Sequence, residues 1–113
     1  MLPYNSRAKF DTIRSETVIG AAYTALGSAL STPAVIVCFK NQTNGDVFVS
    51  ADGTNNHVIM PANSYTVYDI RTNAPAGDNF SFREGTQFYV KDGPTASTTG
   101  TFYMEAVVLT KAA

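Results

Sequence analysis

From Pro33 onward the chain alternates short apolar runs with clusters of turn formers, and the period is that of strands. AVIVCFK (34–40) is short and rich in β-branched residues, which predicts a central strand buried on both faces. NQTNGD (41–46) follows, and Asn44-Gly45 is the pair that a tight hairpin demands, so DVFVSA (46–51) is expected to pair with the strand before it. In that second strand Val47, Val49 and Ala51 share one face, with Phe48 and Ser50 on the other. Five consecutive turn formers, Asp52 to Asn56, then predict another hairpin leading to HVIMP, with Gly53 at positive φ. Pro61-Ala-Asn63 makes a corner before SYTVYDI (64–70), where Tyr65 and Val67 face opposite to Thr66, Tyr68 and Ile70. FSF (80–82), TQFYVKD (86–92) and TFYMEAVVL (101–109) complete the series. The last of these sets Phe102, Met104, Ala106 and Val108 against Tyr103, Glu105, Val107 and Leu109.

The N-terminal third is less patterned. Ile19, Ala22, Tyr23, Leu26 and Leu30 have helical spacing, but Gly20 and Gly27 would each cost about 1 kcal/mol inside a helix, which favours extended structure. Residues 1–7 carry no pattern that would bury them and are expected to be mobile unless a partner holds them. DGPTASTTG (92–100) reads as a loop that shares one exposed edge with residues 73–79. No repeat, linker or charge block divides the chain. The expected fold is therefore all-β: a single-domain antiparallel β-sandwich or barrel, jelly-roll-like, with an extended N-terminal arm (1–16) before the β-sandwich domain (17–113).

Composition narrows the function classes. The 113 residues fit one domain with a real core. Charged residues make up only 15% and the formal net charge is -1, so the surface is polar but weakly charged. The Lys and Arg residues are scattered singly, which argues against nucleic acid as the main partner. No run approaches a membrane span and MLPYNSRAKF lacks the apolar centre of a secretory signal, so folding in a cytoplasm is expected and no membrane partner. Cys38, the single cysteine, sits among apolar neighbours and is expected to be a buried, inert thiol.

Candidate chemistry is sparse. His57, the single histidine, would need a nucleophile and an orienting acid to act in catalysis, and neither G-x-S-x-G nor an accessible thiol supplies one. One His and one Cys cannot fill a zinc site. The run Asp52 to Asn56 lacks both the alternating acids and the distant glutamate of a calcium loop. Phosphate-binding glycine fingerprints are missing as well. The expectation is no enzyme, no metal and no cofactor. Among the six Tyr and seven Phe, Phe39, Phe48, Phe88 and Phe102 are assigned to the interior. Tyr65, Tyr68, Tyr89 and Tyr103 suit a core edge or a subunit contact better than a sugar platform.

Two stretches carry a family likeness. FKNQTNGDVFVSADGTNNHVIMPANSYTVYDIRTN (39–73) and EGTQFYVKDGPTASTTGTFYMEAV (84–107) resemble small β-rich virion proteins of tailed bacteriophages. In those proteins an Asn-x-Thr turn leads to a V-x-x-S-x-DG hairpin, then P-A with a later YD, then GTQ-x-YVK and a final G-x-x-Y strand. Here these elements are Val47, Ser50, Asp52 and Gly53; Pro61, Ala62, Tyr68 and Asp69; Gly85, Thr86, Gln87, Tyr89, Val90 and Lys91; and Gly100 and Tyr103. The likeness spans the last two-thirds of the chain, with YTALGSAL (23–30) also similar, while the first 16 residues match nothing in it. It implies a non-enzymatic virion component that binds copies of itself and other virion proteins such as major capsid or neck proteins. Head decoration is the leading expectation, with a neck or tail ring subunit or a glycan-binding module as alternatives. The expected interface residues are Asp52, Asn55, Asn56, Tyr65, Tyr68 and Tyr103.

Overall fold

The structure, a computed structural model, describes residues 4–17, 19–70 and 81–111. Nine strands, and no helix among the described residues, form two antiparallel sheets: β1 Tyr4–Phe10, β2 Arg14–Glu16, β3 Thr24–Ala25, β4 Ala34–Thr43, β5 Val47–Ser50, β6 Val58–Met60, β7 Ser64–Asp69, β8 Tyr89–Asp92 and β9 Gly100–Lys111. The larger sheet runs β1-β9-β4-β7, with β2 beside β1 on the same edge of β9, and the smaller runs β3-β8-β5-β6. The all-β sandwich read from the periodicity is the fold observed.

The core lies between the sheets and follows from strand alternation. Val37, Phe39, Phe102, Met104 and Val108 point inward from β4 and β9, and meet Val47, Val49, Met60 and Val90 from the smaller sheet. Phe39 sits at the centre of an aromatic cluster, edge-on to Phe88 at 5.2 Å and to Tyr68 at 6.1 Å, with Phe102 tilted at 6.1 Å. Ile19, Leu26 and Leu30 are buried from non-helical chain, mostly irregular, in which only Thr24–Ala25 is strand. Phe48 departs from its assignment to the interior: it is half-buried on the outer side of the smaller sheet, where the Lys91 ammonium lies 5.7 Å from its ring and 4.7 Å from that of Tyr23.

The hairpin predicted at Asp52–Asn56 is present, with Val47 opposite Met60 and Val49 opposite Val58, and Gly53 has φ 77°. The corner at Pro61–Asn63 is also present, with Asn63 at φ 56°. The hairpin predicted at Asn44-Gly45 is not. β4 pairs with β7 and β9, whereas β5 pairs with β6 and β8, so the turn carries the chain from one sheet to the other. Gly45 is not among the positive-φ glycines; its requirement is space, because a Cβ there would sit 2.5 Å from the Ser97 amide nitrogen. Asn44 clasps the same segment, donating to Thr98 Oγ1 and accepting from the amides of Thr98 and Thr99.

β4 is central but is not buried on both faces. Val37 and Phe39 are covered, while Ile36, Cys38 and Lys40 on the opposite side are only half-buried. The stretch 1–16, read as an arm, contributes β1 and β2 to the sheet edge from residue 4 onward. Alternation could not reveal β1, because Ala8, Lys9 and Phe10 are all exposed and the strand is held by its backbone pairing with Val107–Leu109. Behind it Arg14 anchors the chain. Its guanidinium, in a residue 8% exposed, donates to the carbonyls of Ser28 and Ala29 and pairs with Asp11 at 2.8 Å. Of FSF, Phe82 forms a single bridge with Ala34, whereas Phe80 and the loop expected at 73–79 lie outside the described residues.

Candidate assembly surface

Cross-strand register lays out the outer face of the larger sheet in rows. One row runs Tyr65, Lys40, Tyr103 and Ser15 across β7, β4, β9 and β2. The next runs Val67, Cys38 and Glu105, and the third runs Asp69, Ile36, Val107 and Phe10. Because directly opposite residues in an antiparallel pair share a face, these side chains form one continuous surface. It is an open groove of about 1140 Å³, with Ile13 lining it beside Phe10. Phe10 is 88% exposed, Tyr65 73%, Ile13 57% and Val67 52%. Isolated exposed apolar residues are ordinary on a soluble protein; here several share one sheet face, interrupted by Lys40, Glu105 and Asp69.

Two of the charges on this face, Lys40 and Glu105, pair with each other. Lys40 Nζ donates to Glu105 Oε2 at 3.0 Å, and that hydrogen bond, with the carboxylate charge, raises the lysine pKa above its ordinary value. Cys38 lies between apolar neighbours and this pair. Burial first, and then the Glu105 charge, push its thiol up. It is half-buried rather than enclosed.

The loop Ala51–His57 is a second surface of different character. Ser50 Oγ accepts from the amides of Asp52 and Gly53, and donates to Asp52 Oδ1. Asp52 in turn accepts from the amides of Thr54 and Asn55 and from the Asn55 side chain. The amides of Asn55 and Thr54, followed by the Asn55 side chain, hold the Asp52 carboxyl well below the usual carboxylate range. The Ala51 amide donates to His57 Nδ1, and the Tyr23 hydroxyl ties the loop to the smaller sheet by donating to Asn56 Oδ1. His57 Nε2 lies 3.8 Å from Asp52 Oδ2. These bonds are the internal geometry of an Asx-type turn, which is the reason the segment uses Asp and Asn.

That arrangement fixes the sign of an acid response. A carboxyl whose folded pKa is depressed contributes stability that is fully present above its unfolded value, near 3.8 here, and is lost as pH falls through the folded value. Asp52→Asn is therefore expected to flatten the decline of melting temperature between about pH 4 and pH 2 relative to wild type. Parallel curves for the two proteins would show that the carboxylate bonds do not persist in solution.

The expected interface residues thus separate into two groups. Tyr65 and Tyr103 flank Lys40 on the outer face of the larger sheet. Asp52, Asn55 and Asn56 lie in the hairpin loop of the smaller sheet. Tyr68 departs from the expectation, because its ring packs inward on the core against Phe39. Phe10, Ile13, Ile36 and Val67 were absent from the expected set, although Val67 shares a face with Tyr65 by simple alternation. His57 touches no nucleophile, and Cys38 belongs to the other sheet. No group of three or more His, Cys, Asp or Glu side chains poised to hold a metal occurs among the described residues.

No family model and no curated protein matches the sequence. One solved structure is similar across nearly the whole chain: a protein from work on Bacillus endospore appendages, described as a novel family of disulfide-linked pili. The two superpose with a TM-score of 0.52 over 98% of this chain and 96% of that one, at 12% identity. At that identity the likeness is one of fold, and the fold shared is the all-β sandwich described above.

Proposed function

We propose that this chain is a non-enzymatic structural component of a tailed-phage virion, a decoration protein that binds the assembled head. The observation that carries this reading is the exposed apolar face of the larger sheet. An isolated domain gains nothing from keeping Phe10, Ile13, Tyr65 and Val67 in water, whereas an assembling one buries them. Three further observations support it. The turn and strand-end motifs resemble those of small virion proteins. The polar loop at 51–57 spends its functional groups on its own geometry. The whole-chain likeness is to a protein whose work is also to assemble, a pilus.

Weak individual contacts suffice for such a role, because a symmetric shell offers many at once and avidity multiplies them. A disulfide-linked chain of subunits is less well supported for this sequence than for its structural neighbour. Cys38 is the single thiol of the sequence and can join one neighbour at most, and a linked polymer needs two links per subunit. Light scattering across a concentration series, with and without emptied tailed-phage particles assembled in its absence, tests the proposal. Binding to particles with no activity toward them is expected. A stable six- or twelve-membered ring formed without particles would instead favour a neck or tail subunit.

A further inference from the structure

We infer that Asn44 is a site of spontaneous deamidation, held silent in the folded protein by its clasp on residues 95–99 and open to reaction when that loop lifts. The inference is independent of the virion reading and starts from the dipeptide Asn44-Gly45. In Asn-Gly the glycine nitrogen can close a ring on the asparagine side-chain carbonyl carbon, and glycine has no Cβ to obstruct the closure. Gly45 cannot give way to a bulkier residue here. A Cβ would lie 2.5 Å from the Ser97 amide nitrogen and 2.6 Å from the Thr95 carbonyl oxygen. The fold therefore keeps the reactive pair in the turn that joins the two sheets.

The chemistry balances with water alone. The Gly45 nitrogen gives up its proton and bonds to Asn44 Cγ, the Cγ–Nδ2 bond breaks, and Nδ2 leaves with that proton as ammonia. Water then opens the succinimide ring at Cγ, leaving an aspartate in place of the asparagine, or at the backbone carbonyl, leaving an isoaspartyl linkage that lengthens the main chain by one carbon. The second product adds a backbone atom where loop 95–97 leaves no room even for a Cβ, so a chain that reacts while open does not close the clasp again.

Folded geometry opposes ring closure at both reacting groups. Gly45 is buried, its amide donates to Thr43 Oγ1, and its carbonyl accepts from Asn41 Nδ2 and Thr43 Oγ1. Asn44 Nδ2 donates to Thr98 Oγ1, its Oδ1 accepts from the amides of Thr98 and Thr99, and its own amide donates to the Thr99 carbonyl. Two amides on Oδ1 would stabilise an oxyanion there, but attack requires Gly45 to turn toward Cγ, and its packing against residues 95–97 opposes that. Reaction therefore goes through local opening, at a rate set by the fraction of time the loop is open. Asp92 governs that fraction from a distance, because it accepts from the Ser97 amide and hydroxyl and ties the loop down through Ser97 rather than through Asn44.

The test incubates the full chain in mildly alkaline buffer, folded or unfolded in urea, and follows each asparagine by peptide mapping with mass spectrometry. Wild type is expected to convert Asn44 at least tenfold more slowly folded than unfolded. Asp92→Ala and Thr98→Val are expected to raise the folded rate severalfold and to leave the unfolded rate unchanged, with melting curves showing both variants folded. Acceleration by either one supports the clasp. Asn63, exposed in the β6–β7 corner, is the control whose rate neither variant changes. Equal folded and unfolded rates at Asn44 overturn the inference, as do folded rates that neither variant alters. A folded rate above the unfolded one also overturns it, since the amides of Thr98 and Thr99 would then be an oxyanion hole rather than a clasp.

Discussion

Gly100→Ala is expected to destabilise the protein by about 3–5 kcal/mol, a large part of the roughly 5–15 kcal/mol that holds a domain of this size. Gly100 opens β9 opposite Thr43, with φ 97°, where an L side chain is strained. A Cβ there would also lie 2.2 Å from the Gln42 carbonyl oxygen and 2.7 Å from the Thr43 Cα. Both obstacles are backbone in the central strand, so neither can swing aside as a side chain could. Gly85 provides the internal comparison. It too has positive φ, 87°, but nothing lies within 4 Å of the position a Cβ would take. Gly85→Ala should therefore show the backbone strain alone, about 1–2 kcal/mol, and urea unfolding of the two variants separates that strain from the steric clash. Equal midpoints would mean that β9 does not approach β4 as closely at Gly100 as the structure places it.

Asn41→Leu should cost about as much, 3–5 kcal/mol, by a different mechanism. Asn41 is fully buried at the inward end of β4, at the junction of the two sheets. Its amide faces the carbonyls of Gly45, Met60 and Pro61, each at 3.0 Å, and its oxygen accepts from the Thr43 amide and hydroxyl. One side chain thus fastens β4, the crossover turn and the β6–β7 corner together. Leucine fills a similar volume but leaves those backbone groups without their partner, and each buried orphan costs about 1–3 kcal/mol. Chemical denaturation measures the loss, and the retention of near-wild-type stability would show that water replaces the amide. Asn41→Asp should be worse at neutral pH, since a carboxylate would face three carbonyl oxygens. It should recover as acid protonates the new group, whose pKa is raised by that environment.

These two positions illustrate what the sequence shows and what it hides. Alternation and turn chemistry carry the fold: the five turn formers after Ala51 make the β5–β6 hairpin, and the inward set from Phe102 to Val108 is buried as its period requires. The same turn chemistry misleads at Asn44-Gly45. A glycine needed for close approach to Ser97 and one needed for positive φ look identical in a sequence, and only the pairing partners of β4 and β5 tell them apart. Asn41 left a legible trace, because it extends the inward series Val37, Phe39, and a polar residue at such a position must be bonded. β1 left none, since a strand held by backbone bonds with exposed side chains has no hydrophobic period.

The proposed assembly face was partly legible. β-branched and apolar residues at successive positions of AVIVCFK suggested burial on both sides, and half of that burial is missing in the single chain: Ile36 and Cys38 remain half-open. A strand patterned for two covered faces but covered on one is the sequence trace that supports the proposed contact. Tyr65 and Val67 continue that surface across the register. The loop at 51–57 drew attention for its acid, amides and histidine, and its bonds turn inward on itself, so its composition reports turn geometry rather than a ligand.

The claim that this domain is built to assemble on a virion is tested most directly by co-sedimenting the purified chain with emptied tailed-phage particles assembled without it. Saturable binding at a fixed number of copies per particle is expected. A chain that remains in the supernatant at every concentration, while folded and undegraded, would contradict it.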